Sequence, residues 1–312
     1  MTDLQMIEIN KLTRVFKDKT ALNQITLSIQ QGELFGLVGP DGAGKTTLLR
    51  TLAGLLNISE GKGTVSGFDI QKESERIKPK LGYMAQEFSL YEKLSVLENL
   101  RFFAELYDVD PAEQNARIPD LLEFAGLTSF KNRRASHLSG GMKKKLALAC
   151  TLLHRPPILL LDEPTTGVDP VSRREFWNIL NDLHLNGTTI VVSTPYMDEA
   201  DRCSKVGLIY QGNLVICDTP AGIRDRLEGE IIKIVTDDWQ KARELLLPLP
   251  GVLEVQSYGE ALHVLVDSSS KRERELTKIL KKHKLTILEI RSTTPRMEEA
   301  FISLINKLDQ VN

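Results

Sequence analysis

Cysteine is scarce in this sequence. Cys150, Cys203 and Cys217 are the only three in 312 residues, and they show neither CxxC nor metal-ligand spacing. That excludes a disulfide scaffold and a cysteine-rich metal site. Long apolar runs are also missing. Hydrophobic residues make up 41% of the chain, yet no stretch approaches the roughly 18–20 apolar residues of a membrane-spanning helix. Nor does one sign of charge dominate, with 40 Lys and Arg against 42 Asp and Glu. The balance gives no strong global field toward nucleic acid or membrane. The first residues, MTDLQMIEINKL, carry an early Asp3 and lack the basic-then-apolar layout of a secretory signal. The expectation is a soluble protein of a reducing compartment, with two domains at roughly 150 residues each.

What is present alternates. Met6–Leu12, Ile25–Ile29 and Glu33–Val38 read as strands, and TTLLRTLAGLL after them has helical apolar spacing. From about 87 to 140 the texture is helical, as in LSVLENLRFFAELY and ARIPDLLEFAGL. A helix from Met142, the apolar run Ile158–Leu161, the helix RREFWNILNDLH and the strand TTIVVS follow. Strands and helices in this order predict an α/β core with a mainly parallel sheet and a helical insertion. A boundary is expected near Pro220, dividing the chain into 1–220 and 221–312. The tail reads Glu230–Val235 strand, Trp239–Leu247 helix, Val252–Ser257 and Ala261–Val266 strands, Arg272–His283 helix, Leu285–Arg291 strand and a last helix from Met297. That βαββαβ order predicts a ferredoxin-like α+β unit with an added helix. Trp239 and the Leu245–Leu249 run are expected in its core.

Gly39-Pro40-Asp41-Gly42-Ala43-Gly44-Lys45-Thr46 matches GxxxxGK[ST] between a predicted strand and a predicted helix. Glycines let backbone amides converge on phosphate oxygens, and the helix start adds partial positive charge. Lys45 is the candidate for the β- and γ-phosphates, and the Thr46 hydroxyl for Mg²⁺, with Thr47 beside it. Asp41 is out of character next to a polyphosphate unless it faces away. Farther on, Ile158–Leu161 delivers Asp162 and Glu163 to the carboxyl end of a strand, the ligand edge of a parallel sheet. Asp162 is the candidate Mg²⁺ partner, and Glu163 the group that orients or deprotonates water. Together these motifs predict a nucleotide triphosphatase.

Between them stands Leu138-Ser139-Gly140-Gly141-Met142, and with it the chain resembles the ATP-binding cassette (ABC) ATPases. The resemblance covers about 4–218 and the motifs come in the family's order. It implies that Phe16 stacks on adenine and that Gln86 reaches toward the metal and the attacking water. It also implies that Val168-Asp169 forms a dimer-contacting loop, and that Ser139, Gly140 and Gly141 face the γ-phosphate held by a second cassette. ATP and Mg²⁺ are the implied cofactors. The texture around Tyr91 and Met197 is similar to cassettes of ABC-2-type exporters. That implies a separate membrane permease, a peripheral place on the cytoplasmic face of the cell membrane, and a homo- or heterodimer. Phe88, Leu90 and Tyr91 are the candidates for permease contact, whereas Leu97, Leu100, Phe103 and Ala104 read as helix core. A cassette acting in DNA repair or translation would need a coiled-coil insertion or a tandem cassette. Only 93 residues separate Lys45 from Ser139, too few for a long coiled coil.

One departure from the family stands out. Where its histidine should contact the γ-phosphate, the chain reads Ser193-Thr194-Pro195-Tyr196. Proline offers neither a side-chain donor nor a backbone N–H. The five histidines lie elsewhere, with His184 expected to face solvent. Losing such a donor typically costs about 10²–10³ in rate, so slow turnover at the chain's own site is expected unless Tyr196 or Ser193 compensates. The alternative is a mainly regulatory cassette whose intact LSGGM completes the active site of a second, competent one. In the tail, Lys271 to Lys284 form a basic helix face, read as solvated or as lipid-facing.

Overall fold

A computed structural model of the chain describes residues 5–87 and 90–311. Phe88, one of the residues considered for permease contact, lies outside the described residues. The chain divides into two compact units, Met1–Pro220 and Ala221–Asn312.

The first unit begins with strands β1 (Gln5–Phe16), β2 (Lys19–Gln30) and β3 (Leu34–Val38), then helix α1 (Lys45–Leu52). Next come β4 (Glu60–Val65), β5 (Phe68–Asp69), α2 (Ser74–Ile77) and β6 (Leu81–Met84). Helices α3 (Val96–Leu106), α4 (Pro111–Phe124) and α5 (Gly140–Thr151) follow. The unit closes with β7 (Ile158–Asp162), α6 (Pro170–Leu185), β8 (Thr189–Thr194), α7 (Met197–Ala200), β9 (Lys205–Tyr210) and β10 (Asn213–Asp218).

Two sheets result. One is antiparallel, in the order β2-β1-β4-β5. The other runs β10-β9-β3-β8-β7-β6 and is parallel except for the β9–β10 pair. Every residue of β3, β7 and β8 is buried, as expected for parallel strands covered on both faces. Their apolar runs made these three strands readable. β1 and β2 extend well beyond the stretches predicted from alternation. Register shifts interrupt their pairing between Ile9 and Leu12, and Lys11 adopts φ 49° there. Such bulges break the period of two that marks a strand in sequence. Strands β4, β5, β6, β9 and β10 escaped notice for a related reason. They are short, and β4 is built as EGKGTV, with little apolar content.

The insertion packs around α3. Its N-cap Ser95 and Glu98 form a reciprocal capping box, and Leu100, Phe103 and Ala104 are buried as core. Asn99, fully buried, clamps the preceding turn by accepting from the Tyr91 amide and donating to the carbonyls of Tyr91, Leu94 and Ser95. The turn presents Tyr91 at 48% exposure.

The second unit follows α8 (Pro220–Arg224) with β11 (Glu230–Thr236), α9 (Trp239–Leu246), β12 (Val252–Tyr258), β13 (Ala261–Val266), α10 (Ser269–Lys282), β14 (Ile287–Thr293) and α11 (Met297–Val311). Its sheet order, β12-β13-β11-β14 with antiparallel neighbours throughout, is ferredoxin-like. Ile232, Ile234, Leu262 and Val264 pack against Leu246, Leu276 and Leu280 of the helices. Trp239 joins this core partly buried, but Leu247 is exposed, contrary to its place in an apolar run. On α11, buried Glu299 meets the Nδ1 of buried His263 at 2.5 Å.

Candidate functional site

The loop between β3 and α1 needs glycine at fixed places. A Cβ on Gly39 would lie 2.1 Å from the Ile209 carbonyl oxygen, and one on Gly44 would lie 2.6 Å from that of Ala21. Gly44 also holds φ 112° as the N-cap of α1, without a side-chain cap. The opening amides of a helix have no intrahelical partner, so this end remains a donor-rich anion seat. Lys45 is 3% exposed and folds back over the loop, its Nζ donating to the carbonyls of Gly39 at 2.8 Å and Pro40 at 3.1 Å. The Asp41 side chain is 93% exposed, and solvent accounts for its tolerance here.

Parallel register sets the acidic pair beside this loop. Asp162 stands opposite Ser193, and Val38 opposite Thr194, so the carboxyl ends of β3, β7 and β8 lie side by side. Asp162 is fully buried. Its Oδ1 accepts from the Thr46 hydroxyl at 3.0 Å and the Ser193 hydroxyl at 2.8 Å, while its Oδ2 is buried without a partner. A buried carboxylate oxygen lacking a donor is costly, and a divalent cation beside Thr46 would satisfy it. Mg²⁺ fits such a seat, since it takes one or two protein oxygens and completes its shell with phosphate and water. Glu163 adopts φ 47°, a left-handed conformation that costs a non-glycine residue about 1–2 kcal/mol. The chain tolerates it because the Glu163 amide donates to Ser193, and its carboxylate is held from three sides. Oε2 accepts from Gln86 Nε2 at 2.9 Å and Thr166 Oγ1 at 3.3 Å, and Oε1 lies 3.1 Å from Lys45 Nζ.

The turn after β8 is tightly braced. Buried Glu199 accepts from Thr194 Oγ1 at 2.6 Å, Thr165 Oγ1 at 2.8 Å and Arg173 Nε at 2.7 Å. The Arg173 guanidinium also lies 4.4 Å from the Tyr196 ring centroid. Thr165, Thr166, Arg173 and Glu199 were not singled out from sequence. They come from separate segments, and no spacing rule joins them. The Ser193 hydroxyl is committed to Asp162 and the Glu163 amide.

These groups bound a cleft of about 910 Å³. Lys45, Thr46, Gln86 and Glu163 line it together with Phe16, Asp41, Gly42, Thr47, Thr166, Pro195 and Tyr196. Phe16 is 40% exposed with Arg14 stacked on it at 4.4 Å. No histidine lines the cleft. His184 is half-buried rather than solvent-facing. Ser139, Gly140 and Gly141 do not line it either. Ser139 caps α5 by accepting from the Met142 amide at 3.3 Å, and a Cβ on Gly141 would meet Ser172 at 2.5 Å. Asp169 caps α6 through the Val171 and Ser172 amides, bonds that hold its carboxyl below the usual range.

The class defined here is a P-loop α/β unit of the ABC ATPase type, with a ferredoxin-like unit after it. The ABC transporter family profile matches residues 22–166. The chain is 42% identical over 305 residues to the probable multidrug ABC transporter ATP-binding protein YbhF of Escherichia coli, covering 96% of this chain and 52% of that protein. It thus spans about half the length of that relative. It is 31% identical to the linearmycin resistance ATP-binding protein LnrL of Bacillus subtilis, over 97% of this chain and 99% of the other. Among solved structures, the ATP-binding cassette MJ0796 in a dimeric post-hydrolysis state with ADP and Pi superposes at a TM-score of 0.63. That match is at 27% identity, over 69% of this chain and 98% of the other. The chain belongs to the ABC transporter ATP-binding proteins.

Proposed function

We propose that the chain is the ATP-binding subunit of an ABC-type exporter, driving a separate ABC-2-type membrane permease from the cytoplasmic face through a cassette dimer. The observation that carries this reading is the convergence of Lys45, Thr46, Gln86 and Glu163 on one cleft, with buried Asp162 bonded to Thr46 behind it. Names of relatives that refer to multidrug transport and linearmycin resistance support efflux. Phe16, the backbone N–H groups of the 39–47 loop, of which Pro40 has none, and Lys45 would receive adenine and phosphates. Thr46 and Asp162, with Gln86 reaching in, would hold Mg²⁺, which when bound neutralises phosphate charge.

Lys45 is paired with Glu163 and with loop carbonyls. A terminal phosphate would take Lys45 and release Glu163 to hold a water and accept its proton. Gln86 and Thr166 would keep that carboxylate aimed. Nucleotide binding and hydrolysis by wild type, Lys45→Ala and Glu163→Gln test this. Loss of binding in the first variant and retained binding without turnover in the second are expected. Undiminished hydrolysis in either would contradict it.

Pro195 supports a second reading. The chain's own site would turn over slowly, while Ser139, Gly140 and Gly141 complete the site of a different cassette that keeps its histidine. Purification of the native complex separates the two. A second kind of cassette favours this regulatory role, and two copies of this chain favour the homodimer.

A further inference from the structure

The C-terminal unit carries a charged feature that nucleotide handling leaves unused. Between Ser269 and Lys284 there are seven basic residues and two acidic ones. At 3.6 residues per turn, Lys271, Arg274, Lys278, Lys281 and Lys282 of α10 share about a third of its circumference. All five are exposed, and exposed Lys284 extends the stripe past the helix end. Leu276 and Leu280 occupy the opposite, buried face. The helix's two acids do little to neutralise the stripe: Glu275 is bonded to Arg272, and Glu273 is half-buried away from it. Among the described residues, none of the five is ion-paired.

Helix stability does not account for this pattern. Lys281 and Lys282 suit the negative end of the helix dipole, but Lys271 sits in a first turn that has no acid. Moreover, Lys271, Arg274, Lys278, Lys281 and Lys282 repeat at spacings of three and four, where like charges repel.

We propose that this stripe docks on an anionic lipid surface. Residues 269–288 contain no Phe, Tyr or Trp and a single imidazole, His283, so the stripe lacks the row of stacking platforms typical of a single-strand nucleic-acid binder. Four of its five cations are lysines, compact charges on long stems, which suit a diffuse field of headgroups better than bidentate recognition. Membership of a transporter family supplies the membrane context. The proposal does not depend on how the cleft handles ATP.

Co-sedimentation of the full chain with phosphatidylcholine vesicles, with and without phosphatidylserine, tests it. At about a fivefold gain per basic residue near an anionic surface, partitioning should rise at least about a hundredfold with phosphatidylserine and fall with added salt. Arg274→Gln/Lys278→Gln/Lys282→Gln should cut the gain about a hundredfold while keeping nucleotide binding and thermal stability, since it removes like-charge contacts at spacings of four. Equal partitioning to both vesicles, or a triple variant that binds like wild type, would overturn the proposal. So would tighter binding to duplex DNA or RNA than to the anionic vesicles at the same salt.

Discussion

On the phosphate-loop side of the cleft, the charged groups are cross-linked. Lys45 bridges loop carbonyls and Glu163, Thr46 reaches Asp162, and Gln86 reaches Glu163. On the β8 side the turn is just as firmly braced, by Glu199, Arg173 and two threonines, yet it offers the cleft a proline. The contrast separates rigidity from chemistry. The same kind of hydrogen-bond network positions the Glu163 carboxylate on one side and, on the other, a proline without a donor beside Tyr196.

That contrast can be broken from either side. Glu163→Gln removes the water-orienting group and should lower hydrolysis by about 10²–10⁴, with ATP binding kept, in single-turnover assays. Glu199→Ala attacks the brace instead. Removing a buried carboxylate that pairs with Arg173 should cost about 3 kcal/mol in chemical denaturation, with a smaller loss of turnover than Glu163→Gln. Gly39→Ala drives a methyl into the Ile209 carbonyl and should destabilise by about 1–3 kcal/mol, read by the same denaturation.

The smallest effect lies outside the cleft. Arg272 holds the Asp267 carboxyl down at about 2, against an ordinary 3.8. A depressed carboxyl contributes stability above its ordinary value and loses it as pH falls from about 4 toward 2. The melting temperature of Asp267→Asn should therefore lie slightly below wild type at neutral pH and meet it near pH 2.

Legibility in the sequence followed the physics of each signal. The phosphate loop and Asp162-Glu163 were readable because backbone geometry and a buried strand end constrain residue types locally. The parallel strands β3, β7 and β8 showed as apolar runs, and the ferredoxin-like order as clean alternation of elements. Strands β4 and β6 were not readable, being short and poor in contrast. The bracing residues Arg173 and Glu199 were hidden as well, since they meet only after β7, α6 and α7 pack. The unpartnered Asp162 Oδ2 and the left-handed Glu163 backbone are properties of the fold that no motif spells out.

In the proposed reading, the turn at Pro195 limits the chain's own site. Single-turnover ATP hydrolysis by the full chain, wild type against Pro195→His, tests it most directly. An imidazole restored to this braced turn should raise the rate at least about tenfold, with ATP affinity unchanged. Equal rates in the two proteins would contradict the account.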